Sequence, residues 1–400
     1  MRWSNHRTMM PASAPLTAPP PKLRLDHVDG LRAIAALVVY FNHAYAHTWN
    51  PYHRVYPTGF FGPAKYLLVL GHLSVTVFIV VSGFCLALPV IQQGGDLRGG
   101  VIGFFKRRAR RILPPYYAAV ALCLILIWTV LREPTGSLWD VPLQVLVKPS
   151  SILVHLLLLQ DLFATGHINY VFWSIAVEWH IYFAMPLLVY AWKRFGASAV
   201  VLGTLVIGYG MMIGLEDTRV GRANPHYLGM FALGMLAAHI ARSNAAKLVT
   251  LRDRVPWWLV AAAALLVTGG IATAWGVGLS VQRFHFLDLP TGVMAASALI
   301  ASSLPKAGLL TRFFSLRPLV FVGTFSYSLY LIHAPLLQFL WHYVFDPLGL
   351  TSAPLFLWLG TAGLAVVLVS SYLFHLLFEA PFMRAARSTR AAEPAAIPTQ

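Results

Sequence analysis

The amino-acid sequence predicts an all-α integral membrane protein: a single bundle of about ten transmembrane helices with both termini cytoplasmic. Three observations carry this expectation. Of 400 residues, 58% are hydrophobic and 11% charged, whereas about a quarter of an ordinary soluble domain is charged. The mean hydropathy of +0.66 excludes a disordered chain and argues against a soluble enzyme. Apolar segments recur at 31–49, 67–89, 113–131, 171–192, 199–215, 226–241, 257–279, 287–304, 318–340 and 354–378, each near the roughly 20 residues that a bilayer span requires.

Residues 1–25 are basic and rich in Pro and Ala. They lack the apolar core of a signal peptide and read as a disordered cytoplasmic tail. Residues 26–383 read as one membrane domain, without heptads or internal repeats, and 384–400 as a second cytoplasmic tail. An eleventh apolar run, 143–160, is interrupted by Lys148, Pro149 and His155. If it does not cross, the connections on the side of the N-terminus hold 23 of the 30 Lys and Arg residues. Counting it as a span would place every later basic loop outside, so the positive-inside rule favours a re-entrant or interfacial segment. The net charge of +16 would point to nucleic acid in a soluble protein; here the positions of the charges matter instead, and no nucleic-acid partner is expected. Cys85 and Cys123 both lie in apolar runs and read as core residues, neither a disulfide nor a metal pair.

Ionisable groups at bilayer depth are costly and mark functional sites. Helix 1 reads DGLRAIAALVVYFNH, with Arg32 and His43 about 16 Å apart along one helix face. Glu178, in YVFWSIAVEWHIYF, is the carboxylate read as lying well inside a span, and its expected depth matches that of His43. A buried neutral His with a carboxylate at equal depth is the arrangement that activates a hydroxyl, so His43 and Glu178 are the catalytic candidates. His333, in SYSLYLIHAP, comes to a similar level. It joins Ser326 of the same stretch and Trp173 of the helix 4 motif as secondary, substrate-side candidates. On the cytoplasmic side, FFKRRARRILPPYY holds two interleaved RxxR pairs, Arg107/Arg110 and Arg108/Arg111. Pairs at i and i+3 share a helix face and suit phosphate recognition. Ser82–Gly83 in helix 2 reads as a close-packing position. A phosphate grip at the inner face with a base deep in the bundle fits a long carrier with an anionic head and a reactive tip, the shape of a coenzyme A thioester.

These stations resemble acyltransferase family 3, membrane enzymes that O-acylate bacterial polysaccharides, lipopolysaccharide, peptidoglycan and some small molecules. The resemblance rests on DGLR…H in helix 1, VSGF at 81–84, RRARRILP at 107–114, FWSIAVEWHIYF around Glu178, SYSLYLIHAP at 326–335 and FEAPF at 378–382, in the family's order over about residues 25–383. It implies a ten-helix bundle in the bacterial cytoplasmic (inner) membrane that takes an acyl group from cytoplasmic acyl-CoA and delivers it across the bilayer. His43 is then the base, Glu178 a catalytic or orienting carboxylate, and Arg32 with the Arg108/Arg111 pair donor-binding groups. One departure stands out: many members carry two adjacent glutamates, where this chain has Glu178 followed by Trp179 and His180. The chain ends soon after its last helix, which reads as a stand-alone form.

The expected reaction docks the phosphates of acyl-CoA, by default acetyl-CoA, on Arg107, Arg108, Arg110 and Arg111 with Arg32 at the tunnel mouth. His43, oriented by Glu178, deprotonates an acceptor hydroxyl that attacks the thioester; an acyl-histidine intermediate is the variant. The acceptor is read as a carbohydrate or lipid-linked glycan, with a small secondary metabolite as the other class. No tightly bound cofactor and no metal is expected, since the histidines lack HExxH-type spacing. Outer-loop aromatics Trp49, Tyr52 and Tyr56 are candidates for sugar stacking or for an interface belt. The rival reading is a transporter or flippase that uses His43 and Glu178 as a proton relay. Against it stands the lack of an inverted repeat or of paired broken helices.

Overall fold

The computed structural model describes residues 25–49, 56–131, 147–165, 168–304 and 308–383; the two predicted tails and Tyr52 lie outside them. Among the described residues the regular structure is helical, with no strand. The main helices are α1 (Asp26–Thr48), α2 (Leu67–Gln92), α3 (Gly100–Thr129), α4 (Pro149–Leu156), α5 (Trp173–Phe195), α6 (Ala197–Gly214) and α7 (Tyr227–Arg242). They are followed by α8 (Ala246–Arg254), α9 (Trp257–Gln282), α10 (Phe284–Ser302), α11 (Arg317–Thr324), α12 (Ser326–Leu340), α13 (Ser352–Trp358) and α14 (Leu364–Phe374).

Helices occupy all ten predicted apolar segments. Seven helical stretches among the described residues are long and apolar enough to cross a membrane, or eight if the pair α11–α12, bent by 75°, counts as one. The protein is therefore a multi-pass membrane protein. The two helices short of that measure have local reasons. α7 has only 16 residues, and α1 carries Asp26, Asp29 and Arg32 towards one end and Asn42, His43 and His47 towards the other.

α2 lies at the centre, buried on most of its faces, and packs most extensively against α7, then α1 and α10. α6 and α9 are peripheral and expose leucine and valine outward, such as Leu202, Leu265 and Leu266, as lipid-facing helices do. α3 is about 45 Å long at 1.5 Å per residue, more than the bilayer core needs, so its Arg-rich first half extends past the apolar half. The predicted ninth span, 318–340, is not one straight helix. It breaks at Phe325, where the Ser326 hydroxyl donates to the Gly323 carbonyl at 2.9 Å.

The 143–160 run forms only the eight-residue α4, about 12 Å long and too short to span; residues 143–146 lie outside the described set. The hydroxyls of Tyr116 and Tyr117 on α3 donate to its last carbonyls, those of His155 and Leu156, at 2.9 and 2.8 Å. Side chains thus satisfy helix-end carbonyls that have no intrahelical partner. At one end of the bundle Asp96 pairs with Lys193 at 2.7 Å, and His27 Nε2 lies 3.2 Å from the Ser303 hydroxyl. Asp29 and Met383 share a crevice at this same end.

Candidate active site

Five helices enclose a central cavity of about 200 Å³. α5 presents Ser174, Glu178 and Tyr182, spaced four apart and so aligned on one face. α1 contributes Arg32, α3 contributes Arg108 and Arg111, α2 contributes Ser82, and α12 contributes Ser326, Tyr327 and Tyr330. The Tyr182 hydroxyl donates to Glu178 Oε1 at 2.5 Å and lies 3.2 Å from Ser82 Oγ, which holds the carboxylate in place. Arg32 has Asp29 3.9 Å away. A second crevice shares Arg32, Arg111, Ser326 and Tyr327 and runs towards the end of the bundle that holds Asp29 and Met383. The central cavity itself is lined by three guanidinium groups and one carboxylate, Glu178, which leaves it electropositive. That suits an anionic ligand.

Only half of the predicted arginine cluster takes part. Arg108 and Arg111 line the cavity, whereas Arg107 donates to the Arg98 carbonyl at 2.6 Å and Arg110 is exposed. Adjacent positions on a helix diverge by about 100°, so the two interleaved pairs cannot share a face.

His43 sits elsewhere. Its Nδ1 is 3.0 Å from the Tyr170 hydroxyl, and its ring centroid is 5.1 Å from that of His333. The expected pairing with Glu178 does not occur. α5 packs so that Tyr170, in the single turn Tyr170–Phe172 that precedes it, is level with His43, and Glu178 lies about 12 Å further along, beside Arg32. His333 is buried, with Nδ1 2.8 Å from the Tyr330 carbonyl and 3.1 Å from that of Leu329. Nδ1 must therefore carry the proton, and Nε2 has no hydrogen-bond partner among the described residues. Tyr330 links the two regions: it lines the cavity, and its ring centroid is 5.8 Å from that of His333.

His180 turns away from the cavity, its Nδ1 3.1 Å from Asp161 Oδ2. Trp173 caps the other end of α5 and stacks on His72 at 5.6 Å with a 9° tilt. Behind it is a polar cluster that the sequence reading missed. Asp288 is fully buried, 2.9 Å from His226 Nε2 and 3.7 Å from His72 Nε2, and accepts from the Thr76 hydroxyl. Glu178 is therefore not the sole carboxylate inside the bundle. Asp288 looked like a helix-end residue, but α10 begins at Phe284 and so places it a full turn in. Trp49 is likewise no free loop aromatic: it is buried among Tyr45, Phe61 and Phe356. Tyr56 is exposed.

The sequence matches the family described as an acyltransferase domain over residues 25–376. This chain belongs to acyltransferase family 3. It is 27% identical to the acyltransferase MdmB of Streptomyces mycarofaciens, over 92% of this chain and 93% of that protein. It is 24% identical to the O-acetyltransferase OatA of Staphylococcus aureus over 79% of this chain and 51% of OatA, so the match spans about half the length of that relative. Nodulation protein 10 of Rhizobium leguminosarum bv. viciae is 24% identical over 83% of this chain and 91% of its own. No solved structure matches. This member of family 3 is thus a membrane acyltransferase.

Proposed function

We propose that this acyltransferase moves an acetyl group from acetyl-CoA, bound from the cytoplasm, to a hydroxyl of a glycan exported across the bacterial inner membrane. The observation that carries the reading is the division of α1. Arg32 faces an electropositive cavity with Arg108 and Arg111, while His43, about 16 Å further along the same helix, meets Tyr170 and His333. The name of one relative, O-acetyltransferase, supports acetyl as the group and oxygen as the acceptor atom.

In this mechanism the donor's phosphates meet Arg32, Arg108 and Arg111, and its pantetheine arm passes Tyr330 towards His43. Glu178, held by Tyr182, balances the guanidinium charge when the donor is absent. His43 donates its Nδ1 proton to the Tyr170 oxygen and keeps an Nε2 lone pair as base. Nε2 takes the acceptor's hydroxyl proton as the oxygen attacks the thioester carbonyl. When the C–S bond breaks, the electron pair leaves on sulfur, which receives that proton from the imidazolium.

The test is CoA release from labelled acetyl-CoA by the full chain in lipid nanodiscs, with a crude glycan extract as acceptor. His43→Ala is expected to lower turnover by about 10²–10⁴-fold with an unchanged melting temperature. Equal turnover in the variant would remove His43 as the base and leave His333, whose Nε2 is bare, to be substituted next. A well-folded wild type that neither binds nor consumes acetyl-CoA would overturn the reading.

A further inference from the structure

Beyond α4 the chain turns through Gln160 and Asp161 and returns at Asn169 and Tyr170, and the α6–α7 connection brings Arg222 and Asn224 beside it. Between them is a crevice of about 250 Å³. Gln160 and Asp161 are only 3% and 5% exposed. Even so, Gln160 Oε1, both carboxylate oxygens of Asp161 and Thr165 Oγ1 accept no hydrogen bond among the described residues. His180 Nδ1 lies 3.1 Å from one Asp161 oxygen. Buried acceptors left unsatisfied destabilise a fold unless something fills them, and here the three residues that carry them line one crevice. What they lack is donors. A metal cation would coordinate these oxygens instead, but Arg222 lines the same crevice and repels it. Hydroxyl groups meet the requirement.

Two further residues shape the site. Trp173 gives the crevice an aromatic wall, its ring held parallel to His72, which is itself 2.9 Å from the Tyr227 hydroxyl. Tyr170 lines the crevice too, with its hydroxyl 3.0 Å from His43 Nδ1. A molecule in the crevice therefore reaches the neighbourhood of the base by passing Tyr170. We propose that this crevice is the acceptor site and takes a ring bearing a vicinal diol: two neighbouring hydroxyls donate to the Asp161 carboxylate while the ring face lies against Trp173. The assignment rests on the reading of acyl transfer to a hydroxyl at His43.

The experiment follows acetyl transfer by the full chain in nanodiscs, with a panel of methyl glycosides as probes, each paired with its singly deoxygenated analogue. Wild type is expected to favour the intact diol at least tenfold in kcat/KM. Asp161→Asn should erase that preference by raising the acceptor KM, with the acetyl-CoA KM moving less than twofold. Thr165→Val removes only a hydroxyl and should reduce the preference two- to fivefold, which keeps the test open if the Asp161 variant fails to fold. Equal use of diol and deoxy probes by wild type, or an undiminished preference in the variants, overturns the crevice as acceptor site. So does CoA release with the crude glycan extract but with none of the glycosides. No CoA release with any acceptor from folded wild type overturns the transfer reading, and this assignment with it.

Discussion

Arg107, Arg108, Arg110 and Arg111 are chemically identical, and their angle around α3 alone separates their roles. Arg108 and Arg111 point into the cavity; Arg107 is occupied by the Arg98 carbonyl, and Arg110 faces outward. A charge-assisted hydrogen bond to phosphate contributes about 1.5–3 kcal/mol. Arg108→Ala and Arg111→Ala are therefore expected to raise the acetyl-CoA KM by about tenfold or more, with Arg110→Ala within about twofold. Initial rates against acetyl-CoA concentration check this, and an equal loss at Arg110 would mean that the donor lies outside the cavity. Glu178 shows the same dependence on surroundings. Beside Arg32 and bonded to Tyr182 it is an internal counter-charge; the imidazole it was expected to orient has Tyr170 instead.

At the scale of the element, the α2–α7 contact sets the framework on which the cavity depends. A β-carbon at Gly83 would overlap the Phe231 carbonyl oxygen, and one at Gly234 would overlap that of Val80, so the two helices approach as closely as backbones allow. Gly83→Ala and Gly234→Ala should each cost about 1–3 kcal/mol or more, seen as a lower melting temperature in detergent. Gly270→Ala on peripheral α9, where no atom lies within 4 Å, should instead be neutral or stabilising by up to about 1 kcal/mol. Similar melting shifts at all three would show that the helices do not pack through these glycines. Gly83 and its neighbour divide their work, since Ser82 turns to the cavity and to Tyr182. α4 depends on its partners in the same way, because its short helix ends on the hydroxyls of Tyr116 and Tyr117.

For the whole molecule, the electropositive cavity and the histidine pair lie towards opposite ends of the bundle, the separation that the proposed transfer across the membrane uses. The proposed topology puts the arginine end on the cytoplasmic side. Single cysteines introduced at Arg110 and at Arg222 of a Cys85→Ser, Cys123→Ser background should therefore label from opposite sides of intact spheroplasts, Arg222→Cys from outside. Labelling of both from one side would invalidate the direction of transfer.

Membrane class, the positions of ten helical segments, the family through its ordered motifs, and His43, Arg32, Arg108 and Arg111 as residues to watch were all legible along the chain. These are local properties: apolar length, charge placement and spacing along one helix survive without knowledge of neighbours. The tertiary structure decided what faces what. Depth along one helix relative to another depends on how the two pack and where each bends, and here the seating of α5 against α1, the break at Phe325 and the short α4 shift those levels. Such shifts separate Glu178 from His43, bring Tyr170 to it, bury Asp288 and set Asp161 at the edge of a crevice. No residue count along a single helix contains that information, because it arises from packing between helices distant in sequence.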